Sequence, residues 1–367
     1  MNIKISSGFK ENLKSLVEFK KTERKWHLPV LAAFCVGVPL LSGLFMNQVA
    51  NGILASISGL VVLYLPQTAI ANRMTTLMIC SFGFVVSFFA GLIFSFNPWV
   101  ASITLGLYAS VMYWITKYFR LKPPGYFFFI LIASVAICMP FQPDQISAKL
   151  GIITMGTIST CMLAFIYSLI TLKKYSDRTE IIIVNKSSYS NITESIITGL
   201  FIGAALMLAY CLNLTNPYWV PVSCAAVMQG STSKHVWQRS LHRIIGTFIG
   251  IGLASALLST HMSAISICIS IVILQFIVEM LVTRHYGAAI IFVTALTIFM
   301  AEGGKTIDTQ PSVSIYARFL DITIGSCIGA LGGWFLYHQK LHRNMHKHLR
   351  KTKIRLTNSS KRKKTYP

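Results

Sequence analysis

Asn216-Pro-Tyr-Trp-Val-Pro221, an apolar run to Met228, Gln229-Gly-Ser-Thr-Ser233, Trp237-Gln-Arg-Ser-Leu-His-Arg243 and Gly246-Thr-Phe-Ile-Gly250 follow one another with almost no interruption. The stretch reads as a short apolar helix opened by prolines, a polar basic turn, and a second helix entering lipid. Gly246, Gly250 and Ala254 recur every fourth residue. Such a stripe lets helix backbones approach closely where lipid supplies no hydrophobic drive for association. An earlier part of the chain has a similar outline, the first sign of a duplicated membrane protein.

Working outward, the composition agrees. Of 367 residues, 54% are hydrophobic and 12% charged, and the apolar runs recur with short gaps. Helices apolar all round belong in lipid rather than on a soluble core. Spans are expected near 28–46, 51–69, 74–95, 98–117, 125–141, 149–172, 193–213, 217–230, 243–260, 263–282, 286–301 and 316–337. The predicted fold is an all-α, polytopic transmembrane helical bundle of about twelve spans, arranged as two six-helix parallel repeats. The domains follow: a basic cytosolic arm (1–27), a first six-span half (28–172), a cytosolic connector (173–190), a second half (191–337) and a basic cytosolic tail (338–367).

Charge distribution sets the topology. The net charge is +22, yet all but Lys149, Lys305 and Arg318 of the 33 Lys and Arg residues fall on one side when twelve spans start from a cytosolic N-terminus. That is the positive-inside pattern, with attraction to anionic lipid added, so nucleic acid is not the expected partner. The first 27 residues lack the apolar core of a secretion signal. The eight cysteines all fall in apolar spans without a Cys-x-x-Cys pair and read as small buried hydrophobes.

The halves share a rhythm. Gly125 to Met139 resembles Gly287 to Ala301, Lys149 with Gly156 mirrors Arg318 with Gly325, and Arg73 mirrors Arg239. The short spans 51–69 and 217–230 occupy matching positions, which in a transporter marks a central binding site.

Intramembrane charge comes next, because lipid makes it costly. Glu279 lies in the tenth span, five residues before Arg284, and is a candidate proton-linked acid on the ion pathway. Asp321 lies in the last, with Arg318 three residues earlier, as a substrate or proton site or as a structural ion pair. Asp321 continues the stripe Gly325, Gly329, Gly333, which should face other helices. Arg239 and Arg243 share a helical face beside Gly246 and are placed at the mouth of the bundle, while Lys234 and His242 read as juxtamembrane anchors. Tyr218 and Trp219 suit either an aromatic ligand or the interfacial belt. The tail histidines 338, 342, 346 and 348 sit among cations without an acid, which favours a lipid-associated helix over a metal site. Gly303-Gly-Lys-Thr306 lacks the first glycine of a phosphate loop, Phe299 standing there. No catalytic, metal or cofactor motif is present, so an enzyme is not expected.

Asn-Pro-Tyr-Trp-Val-Pro, Arg239-x3-Arg243-x2-Gly-Thr-x2-Gly250, Arg284-His-Tyr-Gly-Ala and Arg318-x2-Asp321-x3-Gly325 together resemble the fusaric acid resistance protein-like (FUSC) family over about residues 193–337. The resemblance implies a bacterial inner-membrane exporter of aromatic carboxylates or related organic anions, driven by the proton gradient. It also implies a periplasmic membrane-fusion adaptor as partner. The short connector departs from longer members, which carry a cytosolic domain between halves. A passive organic-anion channel and a non-transporting scaffold are the alternatives, and self-association is left open. Reporter fusions at the two ends are expected to place both in the cytoplasm; ends on opposite faces would break the even span count.

Overall fold

A computed structural model of the chain describes residues 22, 24–171, 188–260, 263–303 and 311–338. The basic arm up to residue 21, most of the connector, and the tail beyond 338 with His342, His346 and His348 lie outside them. Among the described residues every regular element is helical. In chain order these are α1 (His27–Phe45), α2 (Val49–Ser58, continued as a 3-10 turn Gly59–Tyr64), α3 (Ile70–Ile93), α4 (Pro98–Tyr118), α5 (Phe127–Ile137) and α6 (Pro143–Ile170). The second set comprises α7 (Ser188–Cys211), α8 (Trp219–Met228), α9 (Ser233–Leu258), α10 (Ala264–Leu281), α11 (Tyr286–Gly303) and α12 (Pro311–Tyr337).

Local chemistry explains several boundaries. Asn97 caps α4, its side chain accepting the Trp99 N–H at 2.8 Å, with Pro98 in the first turn where no amide hydrogen is needed. Thr232 caps α9 by accepting the His235 N–H at 3.2 Å. This cap corrects the expected start near 243: the basic segment carrying Lys234, Arg239 and Arg243 is not a turn but the first turns of the helix.

Eight of the twelve helices are long and apolar enough to cross a membrane. The shorter four are Val49–Tyr64, Phe127–Ile137, Trp219–Met228 and Tyr286–Ala301, second and fifth in each set. At about 1.5 Å per residue, α8 covers about 15 Å, half of a hydrocarbon core of about 30 Å. Every residue of α8 from Val220 to Met228 is buried, because α12, α7, α5 and α9 surround it.

The packing of the first six helices recurs in the last six. α1 lies on α2 as α7 lies on α8; α3 packs on α5 and α6 as α9 packs on α11 and α12; α2 meets α6 as α8 meets α12. The two sets touch mainly through α4 on α7 and α10 on α1, again a matched pair of contacts, with smaller ones at α5 on α8 and α2 on α11.

Glycine makes the closest approaches. A Cβ on Gly250 would meet the Ile291 carbonyl oxygen and lie 2.7 Å from Thr294 Cβ, so α9 rests almost backbone to backbone on α11. Gly246 is 3.0 Å from the Gly287 oxygen by the same measure. On α12, Gly325 faces Val220 and Ser223, Gly329 faces Cys224 and Val227, and Gly333 faces Val236 of α9. Gly156 of α6 meets Ala55 and Ser58 of α2, as Gly325 meets α8.

Each of the two larger contacts between the sets also carries an ion pair. Lys117 Nζ is 3.1 Å from Glu194 Oε2, which accepts the Tyr113 hydroxyl at 2.9 Å. Arg24, just before α1, is 2.7 Å from Glu279 Oε2 on α10. The Lys117 side chain is 44% exposed, so that pair adds little. Glu279 is 5% exposed, and loss of Arg24 would strand a buried carboxylate at about 3–5 kcal/mol.

Two glycines on α9 give a sharp comparison, since nothing lies within 4 Å of a Cβ added at Gly252. Gly250→Ala is expected to destabilise the purified protein by about 1–3 kcal/mol through overpacking. Gly252→Ala should be neutral or slightly stabilising in the same thermal unfolding measurement.

Candidate anion-binding track

Three helices of the second set bring polar side chains into line within an apolar surround. α9 contributes Arg239, Arg243 and Thr247 at successive i, i+4 positions, one face of the helix. α11 contributes Tyr286, Thr294 and Thr297, and α12 contributes Arg318 and Asp321. Gly246 and Gly250 lie beside the α9 face, so the α9–α11 approach that they permit also closes the polar side chains on one another.

At one end of the track, Tyr286 meets both α9 arginines. The Arg239 guanidinium lies over its ring, 4.4 Å from the centroid, and Arg243 Nη1 donates to its hydroxyl at 3.5 Å. A ring face and a phenol are weak acceptors for two cations, and the Nε of each arginine is buried without a hydrogen-bond partner. His242 and His285 lie nearby with their rings tilted to one another, centroids 5.3 Å apart. Further along, the Thr294 hydroxyl donates to Thr247 Oγ1 at 3.4 Å, both side chains being buried.

Arg318 occupies the next position. Its guanidinium stacks over Trp219 at 3.9 Å from the ring centroid, and Nη2 donates to Thr297 Oγ1. Thr297 accepts that bond while donating its own hydrogen to the Val293 carbonyl at 2.8 Å. Arg318 is 5% exposed, its Nε has no partner, and Arg243 repels it electrostatically from across the track. Asp321 is fully buried, and neither carboxylate oxygen has a hydrogen-bond partner.

Several expectations change at this level. Arg318 and Asp321 are sequence neighbours but make no ion pair within 4.0 Å among the described residues, because Thr297 and Trp219 hold the guanidinium elsewhere. Trp219 is accordingly a shelf for Arg318, and the face the sequence offered to an aromatic ligand is taken; Tyr218 packs against Trp219 at 4.8 Å between ring centroids. Glu279 is set apart from the track. Its partner is Arg24, with Gln275 Nε2 also donating to it at 3.5 Å, while Arg284 is exposed. Arg239 and Arg243 do turn inward on a shared face, as their spacing requires.

Tyr286, Thr247, Thr294, Thr297 and Arg24 escaped the sequence reading. A hydroxyl in an apolar span carries no signal in one sequence, since threonine readily satisfies itself on its own helix backbone. Tyr286 could have been found, because it follows Arg284-His285 at the start of an apolar helix that faces the Arg239–Arg243 pair.

Chemically, the track holds three guanidinium groups and one carboxylate, with unused donor hydrogens on all three arginines. Such an array favours a small anion, held by charge-assisted hydrogen bonds in a low-dielectric interior.

Residues 204–332, which include the whole track, match the model of the fusaric acid resistance protein-like family. The uncharacterized membrane protein YvaC of Bacillus subtilis (strain 168) is 35% identical over 144 residues, covering 38% of this chain and 22% of that relative. The chain therefore spans about a fifth of the length of the curated relative that it matches. No solved structure matches it. Over residues 204–332, about a third of its length, the chain is thus similar to the fusaric acid resistance protein-like family of membrane proteins.

Proposed function

We propose that the chain is a secondary transporter of small organic anions, exporting them across the bacterial inner membrane with both termini in the cytoplasm. The observation that supports this best is the convergence of Arg239, Arg243 and Arg318 inside the helical bundle with donor hydrogens left over. Buried cations without matched acids are expensive in a membrane and mark an anion's path. Aromatic carboxylates are the substrate class that the family resemblance implies.

The working mechanism is alternating access between two six-helix repeats that face the same way. The recurrence of helix contacts from one set to the other supports it, as do the short helices in matching second and fifth positions. The track enters at Tyr286 with Arg239 and Arg243, at the end that the charge pattern assigns to the cytosol, and continues to Arg318. Asp321 is the acid positioned for proton coupling, while the ion pair with Arg24 gives Glu279 a structural part.

Uptake of labelled benzoate into vesicles holding the purified protein tests the assignment. Arg243→Gln and Arg318→Gln are each expected to lower transport at least about tenfold, as loss of a buried charged contact does. The exposed Lys234→Gln should stay close to the native rate. Equal loss in Lys234→Gln, or none in the two arginine variants, would remove the track as the path. Macroscopic benzoate current without proton dependence would instead make the protein a channel through the same residues.

A further inference from the structure

Asp321 is wholly buried with two bare oxygens, and the cation one turn before it on α12 makes no ion pair with it within 4.0 Å. Arg318 rests on the Trp219 ring and Thr297, and its own Nε is bare. Opposite charges at i and i+3 on a helix normally find each other. Here each is short of a partner in an apolar interior, which is costly unless something else meets both. An anion can meet Arg318, and a proton can meet Asp321.

We infer that Arg318 and Asp321 form a two-position switch in which an organic anion on Arg318 and a proton on Asp321 bind together and leave together. In the position described, Arg318 is held open for the anion by its shelf and its threonine. Without anion or proton, Asp321 carries its charge and Arg318 swings back to pair with it. Nothing in the anion changes covalently; the proton comes from water, forms an O–H bond on Asp321, and returns to water on release.

The surroundings leave this pair in control. From the residue before α8, Tyr218 faces Arg318 and Asp321 electrostatically, and Ser223 of α8 lies beside Gly325. From α9, Arg243 acts on Arg318, and from α11 Thr297 accepts its hydrogen bond. On α7, which also packs against α12, Glu194 is engaged by Tyr113 and Lys117, and Tyr210 donates toward the Ile137 carbonyl. Asp321 is thus the one acid in the track, and Arg243 favours an anion on Arg318 without competing for the proton.

Anion and proton travel in the same direction, so export discharges a whole acid and runs down that acid's own gradient. The proton gradient opposes the outward step instead of driving it. The natural substrate is then the product of a reaction that generates carboxylic acid inside the cell.

The inference rests on the transport reading above, and calorimetry on the full chain in detergent separates the two. Benzoate is titrated at several pH values in buffers of different ionisation heat. Binding is expected to take up protons, at most about one per benzoate, with affinity falling as pH rises. Asp321→Asn should bind benzoate without proton exchange or pH dependence, while Asp321→Glu keeps the uptake and guards against a simple folding defect. Proton release, or tight binding by the native protein with no proton exchanged, overturns the switch and leaves the anion site standing. Benzoate binding by Arg318→Gln equal to the native protein, or none by the native protein, removes the anion site and the switch with it.

Discussion

A guanidinium inside a membrane-embedded bundle has no water to fall back on, so each of its hydrogens must be met by the protein or by a guest. That constraint organises the second set of helices. Arg239 and Arg243 turn to the face and hydroxyl of one tyrosine, and Arg318 to an indole face and a threonine. These contacts are enough to hold the side chains in place. They are too few to use every donor, and that surplus distinguishes the track from a structural ion pair such as Arg24 with Glu279.

Holding three arginines near one another requires helices that come unusually close, and glycine supplies the means. Van der Waals contact, not hydrophobic burial, joins helices in lipid, so removing a side chain gains more there than in a soluble core. Gly246 and Gly250 bring α9 onto α11, and Gly325 and Gly329 seat α8 against α12. The same approach carries Trp219 to Arg318 and Tyr286 to Arg243. A short buried α8 fits this role: being flanked by helices on all sides, it needs no lipid-facing length of its own.

The matched contacts of the two sets show how one arrangement can host different chemistry. α3 packs on α6 as α9 packs on α12, yet the first set spends its buried arginine on a neighbour: Arg73 Nη1 donates to Thr171 Oγ1 at 2.9 Å, close to the end of α6. The second set gathers three arginines, Arg239, Arg243 and Arg318, where the first has this one. Similar helix packing therefore does not carry the track over to the first half.

The sequence by itself determined the class of the molecule, the existence and order of its twelve described helices, and the inward faces marked by Gly246–Gly250 and Asp321–Gly325–Gly329, while the start of α9 fell ten residues earlier than expected. It did so because lipid imposes long apolar runs, biased loop charge and small residues at crossings, all of which are properties of consecutive residues. Only the tertiary structure decided the partners. Arg318 lies three residues from Asp321 but is held by Thr297 and Trp219, and Glu279 takes Arg24 from the far end of the chain rather than Arg284 nearby. The physical reason is that a charge in an apolar interior takes whichever acceptor the packing brings within reach, and that acceptor stands on another helix whose position no local pattern records.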